Sequence, residues 1–319
     1  MSEYHNIYVR AHTVQLEKKQ RKRERPSEPK WPDYALLLDW ETRLTADQTP
    51  TFGFSQFCKL RNGEYIPLEE GIFHEDNGLS AEEFDLLRKY ARVTKPDTAD
   101  DGCDRLRIYS RSKFIEEVIG MAIQAKALIV GFNLPFDLSR IAVDWNPAEN
   151  GGWTLIMKKW RNPKTGKIEP VESFPRVVIK ALNSKAAIIG STRPPVSLRR
   201  SKGKRKGKRA KLWPRGRFLD VRTLLWALRN RSYSLKTACE EFGIPGKLYH
   251  KPSGRVDREE IKYCRQDVCA TVGLLNAAKQ EYDLHPIAPG PDRMFSPASV
   301  AKSYLEKLGI LYPNEKLER

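Results

Sequence analysis

The stretch Ala35–Arg43, ALLLDWETR, constrains the fold more than any other. Its four leading apolar residues form a strand-length run with no polar alternation, so a strand built from them buries both faces. A strand covered on both sides belongs to the interior of a layered α/β domain. The run Ala127–Val130, ALIV, makes the same demand.

Two carboxylates close the first run. Strand side chains alternate between faces, so Asp39 and Glu41 point one way and Trp40 the other. Like charges this close repel unless a cation lies between them. Asp-x-Glu at a strand end is therefore a candidate site for a hard divalent cation, which takes oxygen ligands. Alone it is a weak signal, because surface strands carry such pairs by chance.

The rest of the chain supplies the layers. Residues 1–30 are polar and densely charged at EKKQRKRERPSEPK, a basic flexible arm. After the first strand, Tyr34–Glu41, the segment TFGFSQFCKL has the content of a paired strand. Ser80 is placed to cap a helix over AEEFDLLRKYA. A second helix is expected over SRSKFIEEVIGMAIQAKA, where Phe114, Ile115, Val118 and Ile119 recur at helical spacing. PFDLSRIA then starts a helix with Pro135 in its first turn. Residues 147–217 change character. GWTLIMKKW, FPRVVIKAL and KAAIIG read as strands of an insertion that opens into RRSKGKRKGKRAK. RFLDV is a strand and RTLLWALRN a helix. SYSLKTACEEFGI is a helix capped by Ser234 and stopped at Gly243. A long helix begins near Asp257. Residues 286–319 are a Pro/Gly linker and an amphipathic helix. The order predicts a mixed sheet flanked by helices, within a main domain over 31–285.

With 319 residues, 40% of them hydrophobic, the chain can bury a sizeable core. Its net charge of +17 favours a polyanionic partner. Five cysteines, none in a C-x-x-C pair, argue against a disulfide framework or structural zinc and for a reducing, cytoplasmic compartment. No uncharged apolar run approaches the roughly 20 residues of a membrane span. The N-terminus has no apolar segment of signal-peptide type. These features predict a soluble intracellular protein.

Two further motifs bear on the Asp-x-Glu pair. Asp137 in GFNLPFD falls in a first helical turn, where an acid also suits the helix dipole. Tyr263 and Asp267 in YCRQD lie four apart on one helix face. In order, D-x-E, N-x-x-F-D and Y-x-x-x-D resemble the DEDD superfamily of 3′–5′ exonucleases, in its tyrosine-containing subgroup. Within it the chain looks most like the proofreading exonuclease domain of family B DNA polymerases. The resemblance covers roughly residues 34–282, and residues 286–319 resemble the connection to a polymerase domain. It implies a ribonuclease H-like fold and metal-dependent hydrolysis of phosphodiester bonds at the 3′ end of DNA, releasing nucleoside monophosphates. It implies that Asp39, Glu41, Asp137 and Asp267 hold two divalent cations, Mg²⁺ or Mn²⁺, and that Tyr263 orients the attacking water. It places Thr42 and Asn133 against the terminal nucleotide. The partners implied are single-stranded or frayed 3′ DNA ends and a polymerase or replication protein. Asp220, in RFLDVRT, is a candidate fifth acid, although a helix N-cap is the preferred reading.

Arg199 to Lys211 holds nine Lys or Arg and no acid, and without it the chain is still basic. Gly and Ser punctuate it, as in a flexible loop. Arg199, Arg200, Lys202, Lys204, Arg205 and Lys206 are candidate phosphate-backbone contacts, and the composition also suits a nuclear-localisation signal. Trp153, Trp160 and Trp213 in or beside the insertion are candidates for base stacking, although core packing is the commoner fate of a tryptophan. Two alternatives stay open: a catalytically silent nucleic-acid-binding remnant of a polymerase, and an exoribonuclease with the same site.

Overall fold

The computed structural model describes residues 29–99, 105–149, 151–192, 214–245, 250 and 252–310. In chain order the strands are β1 (Tyr34–Thr42), β2 (Pro50–Arg61), β3 (Glu64–His74), β4 (Arg107–Ser110), β5 (Leu128–Gly131), β6 (Asp144–Pro147), β7 (Trp153–Ile156), β8 (Lys159–Arg161), β9 (Ile168–Pro170), β10 (Val177–Asn183), β11 (Ala186–Ser191) and β12 (Arg217–Asp220). The main sheet is mixed and runs β12-β5-β1-β2-β3-β4. β1 lies antiparallel to β2 and parallel to β5, and β12 continues the parallel side beyond β5.

β1 sits inside the sheet, as its apolar run requires. Ala35 and Leu37 enter one core, Leu36, Leu38 and Trp40 the other. Leu36 and Leu37 are fully buried, so truncating either to alanine should cost about 2–5 kcal/mol.

The helices are α1 (Ala81–Val93), α2 (Arg111–Lys113), α3 (Gly120–Gln124), α4 (Leu134–Ile141), α5 (Val221–Arg229), α6 (Leu235–Phe242), α7 (Arg258–Asp283) and α8 (Pro297–Lys307). α1, α5, α6 and α7 cover one face of the sheet, and α3 and α4 the other. Ser80 caps α1 in a capping box, Ser234 caps α6, Gly243 closes α6 in the left-handed conformation, and Asp257 caps α7. These are the boundaries their side chains predict. Met294 and Val300 join the core on this face and α8 packs on α5, so the C-terminal segment packs on this domain.

The structure corrects the sequence reading in two places. The expected continuous helix over 110–127 contains a π-helical stretch, Phe114–Ile119, between α2 and α3. Phe114 there stacks on Phe73 of β3 with ring centroids 3.9 Å apart, a tertiary contact that local periodicity does not encode. GWTLIMKKW is not one strand. It breaks after Ile156 into β7 and β8, which pair in different sheets. The insertion is a four-stranded antiparallel sheet, β11-β10-β7-β6, and a small β8-β9 ribbon. It packs through Leu155, Val177, Ile179 and Ile189 onto the core under α4. Among the described residues, no helix is long and apolar enough to cross a membrane.

Candidate active site

The parallel strands β1, β5 and β12 end at one edge of the sheet. Leu37 pairs with Val130, and Asp220 with Gly131. Side chains just beyond these ends fall in the crevice at the carboxyl edge, where open α/β sheets bind ligands. The predicted acids converge there.

Asp39 and Glu41 are half-buried on the face of β1 that meets α7, while Trp40 is buried on the opposite face against Phe73. Gly53 lies opposite Trp40 on β2. A Cβ at Gly53 would sit 2.3 Å from the Asp39 carbonyl and 2.5 Å from the Phe73 ring. The missing side chain therefore lets β1 and β2 approach where the acids leave the sheet.

Asp137 arrives from the other layer, on α4, and is buried. It takes a backbone hydrogen bond from Trp40, which places it between the strand positions of Asp39 and Glu41. Its Oδ2 is buried without a hydrogen-bond partner and lies 3.2 Å from the point where Gly131 would carry a Cβ. Burial pushes the Asp137 carboxyl well above the usual range, and Asp39, Asp220 and Glu41 push it further. An unpartnered carboxylate oxygen facing two more carboxylates is destabilised as it stands and suits a bound cation.

Tyr263 and Asp267 stand one turn apart on α7, with Tyr263 half-buried and Asp267 buried. The Tyr263 hydroxyl donates to the Asp267 carboxylate. Burial first, then the charges of Asp267, Glu41 and Asp39, raise the phenol above its ordinary value, so it stays protonated at neutral pH. α7 is held in register by Arg265, whose guanidinium makes two 2.7 Å bonds to the buried Glu70 carboxylate on β3.

Sequence reasoning misses three residues at the site. Cys264 is buried between Tyr263 and Arg265 on α7, with its Sγ 4.0 Å from Asp39 Oδ2. Its ligand atom and those of Asp39 and Glu41 all lie within 4.8 Å of one another. Burial and the charges of Glu41, Asp39 and Asp267 hold its thiol protonated. His250 Nε2 lies 2.6 Å from a carboxylate oxygen of the buried Glu260, and its ring centroid is 5.3 Å from that of Tyr263. Neither sits in a recognisable local pattern. Gly53 likewise shows its purpose only through its cross-strand partner.

Asp220 is the N-cap of α5, as preferred. Its Oδ2 accepts from Thr223 N at 3.0 Å and Thr223 Oγ1 at 2.5 Å. Its Oδ1 accepts from Leu134 N at 3.1 Å, the first residue of α4. Burial pushes its carboxyl up to about 6 despite these donors. It is thus both cap and near neighbour of Asp137.

Thr42 ends β1 and is half-buried; Asn133 precedes α4, is exposed, and its side chain makes no cap hydrogen bond. Trp153 and Trp160 are exposed rather than buried in the core. Arg199, Arg200, Lys202, Lys204, Arg205, Lys206 and Trp213 lie outside the described residues, as do residues 1–28 of the arm read over 1–30; its last residue, Lys30, pairs with Asp283.

No protein-family model matches the chain, and no curated protein matches it.

Proposed function

We propose that the protein is a metal-dependent 3′–5′ exonuclease on a ribonuclease H-like domain, acting on single-stranded or frayed 3′ ends of DNA. The observation that carries this reading is the convergence of Asp39, Glu41, Asp137 and Asp267 at one sheet edge, with Asp137 Oδ2 buried and unpartnered. An all-carboxylate donor set fits hard divalent cations, and these four residues would hold two Mg²⁺ or Mn²⁺ ions. Bound there, such ions supply an activated water and charge stabilisation at the leaving 3′-oxygen.

The chain's own residues do the remaining work. Asp39 and Glu41 are fixed by an interior strand, so the site is pre-organised on a rigid element. Tyr263, protonated and donating its one proton to Asp267, would orient a water through its lone pairs, as an acceptor, and is not a base that deprotonates one. Trp40 and Phe73 close the opposite side of β1 with apolar surface. Thr42 and Asn133 border the acids and are the nearest candidates for the terminal nucleotide. The net charge of +17 suits a polyanionic substrate.

The test is a 3′-labelled single strand incubated with Mg²⁺ or Mn²⁺ and followed for stepwise shortening. The Asp39→Ala, Glu41→Ala double variant should abolish cleavage while remaining folded and retaining much of its DNA binding, and chelator should do the same to the wild type. Continued shortening by the double variant would refute the assignment. A parallel RNA strand reads the sugar preference.

A further inference from the structure

The insertion sheet carries an aromatic surface that the four acids do not use. Alternation places Trp145, Trp153, Leu155 and Ile179 on one face, since Trp145 pairs with Leu155 and Trp153 with Ile179. Leu155 and Ile179 are buried, yet Trp145 is 54% and Trp153 51% exposed. Their rings meet edge to face, 4.7 Å apart at 90°. Together with Phe136 and Ser139 of α4 they line a groove of about 730 Å³. The turn before β7 packs closely on β10. Gly152 adopts φ +89°, and a Cβ there would lie 2.2 Å from the Ile179 carbonyl.

We propose that this groove is a stacking subsite for bases of single-stranded DNA whose 3′ end occupies the carboxylate site, an inference that rests on the exonuclease reading. α4 links the two places, because Phe136 in the groove immediately precedes Asp137 in the site. Charge favours a nucleic acid as occupant. The chain is strongly basic, and the Arg140 guanidinium lies 5.0 Å above the Phe136 ring. The groove's acid, Asp144, is neutralised by Lys159 at 2.5 Å. Exposed aromatic rings stack on any base sequence, and each stacked base contributes roughly ten-fold or more in affinity. The subsite thus selects for an unpaired strand, since bases held in a duplex cannot splay onto the rings.

The experiment measures fluorescence anisotropy of a 5′-labelled oligothymidylate and of an abasic strand of equal phosphate count. Both are bound in chelator so that nothing is cut, to wild type and to the Trp145→Ala, Trp153→Ala protein. Wild type should prefer the strand with bases by about ten-fold or more. The double variant should bind the two strands alike and retain the salt dependence of the phosphate contacts. A wild type indifferent to bases, or a variant that keeps the preference, overturns the proposal. So does a double variant that merely changes from dimer to monomer in sedimentation with DNA binding intact, since the groove would then hold a second copy. Shortening of the 3′-labelled strand is scored separately. Cleavage without tryptophan dependence defeats this subsite alone, whereas base-dependent binding without cleavage defeats the exonuclease reading alone.

Discussion

Asp220 accepts the backbone N–H of Leu134 at 3.1 Å, so the acid that caps α5 also fixes the first turn of the helix carrying Asp137. Asn133, the residue positioned to cap α4, does not do so. Two parallel strands and two helix starts are joined through one carboxylate, and the position of Asp137 depends on it.

Replacing Asp220 tests that dependence. Asp220→Ala removes three accepted hydrogen bonds and leaves the buried Leu134 and Thr223 amides without partners. The expected loss is about 2–4 kcal/mol, combining a lost cap and unsatisfied donors. Asp220→Asn keeps one oxygen and should lose less, about 1 kcal/mol. Urea denaturation midpoints measure both. If Asp220 were only a remote cap, cleavage by the Asn variant at a temperature where it is fully folded would equal wild type. A coupled Asp137 predicts slower cleavage.

Asp137 itself should trade stability for function. Its buried carboxyl faces Asp39 and Glu41 and has an unpartnered oxygen, so the neutral Asp137→Asn relieves repulsion. In chelator at neutral pH this variant should be at least as stable as wild type, with a gain of about 1 kcal/mol, and should not cleave. Added Mn²⁺ should reverse the order. Ligand at 100 times its Kd stabilises wild type by about 2.7 kcal/mol through mass action, and the variant gains far less. Thermal melts with and without Mn²⁺ decide it, and a variant less stable than wild type in chelator would contradict the repulsion argument.

Gly53 gives a test at a distance from the chemistry. A methyl group there collides with the Asp39 carbonyl and the Phe73 ring, and backbone cannot yield as a flexible side chain would. Gly53→Ala should cost about 1–3 kcal/mol in the denaturation midpoint. Because the displaced strand carries Asp39 and Glu41, cleavage should fall more than the lost stability explains. Gly190, whose Cβ would meet nothing, provides the control substitution.

The residues show why some of this is legible in sequence and some is not. β1 and β5 declare themselves because four unbroken apolar residues leave few alternatives, and the helix limits at Ser80, Ser234, Gly243 and Asp257 rest on local capping chemistry. Spacing on a strand pairs Asp39 with Glu41 and spacing on a helix pairs Tyr263 with Asp267, whereas joining those pairs to Asp137 as one site is what the resemblance to the exonuclease superfamily implies. Strand order cannot be read, because the pairings of β1 with both β2 and β5 are set by packing between distant segments. The same holds for the π-helical turn under Phe73, the Arg265–Glu70 bond, the proximity of Cys264 to Asp39 and that of His250 to Tyr263. Asp220 reads as a cap from its own helix, and its second bond reaches 86 residues back along the chain.

Arg43 and Glu83 provide a pH test beside the site. Both Arg43 terminal nitrogens donate to Glu83, at 2.5 and 2.6 Å, and Glu83 also accepts from the Ser80 and Val256 amides. The bond joins the residue after Thr42 to α1 and to the approach to α7. These donors, Arg43 foremost, hold the Glu83 carboxyl down to about 2, against about 4.3 ordinarily. A depressed carboxyl contributes stability above its unfolded value and loses it as pH falls through the folded one. The window is therefore about pH 4.3 down to about 2. In a sealed site this shift would correspond to about 3 kcal/mol, but the pair is open to water on one side, and about 1 kcal/mol is expected. Glu83→Gln should thus be about 1 kcal/mol less stable than wild type at pH 7, with the gap closing near pH 2. Urea midpoints across that range measure it, and a gap that persists unchanged at the acid end would assign the loss to the amide contacts instead of the ion pair.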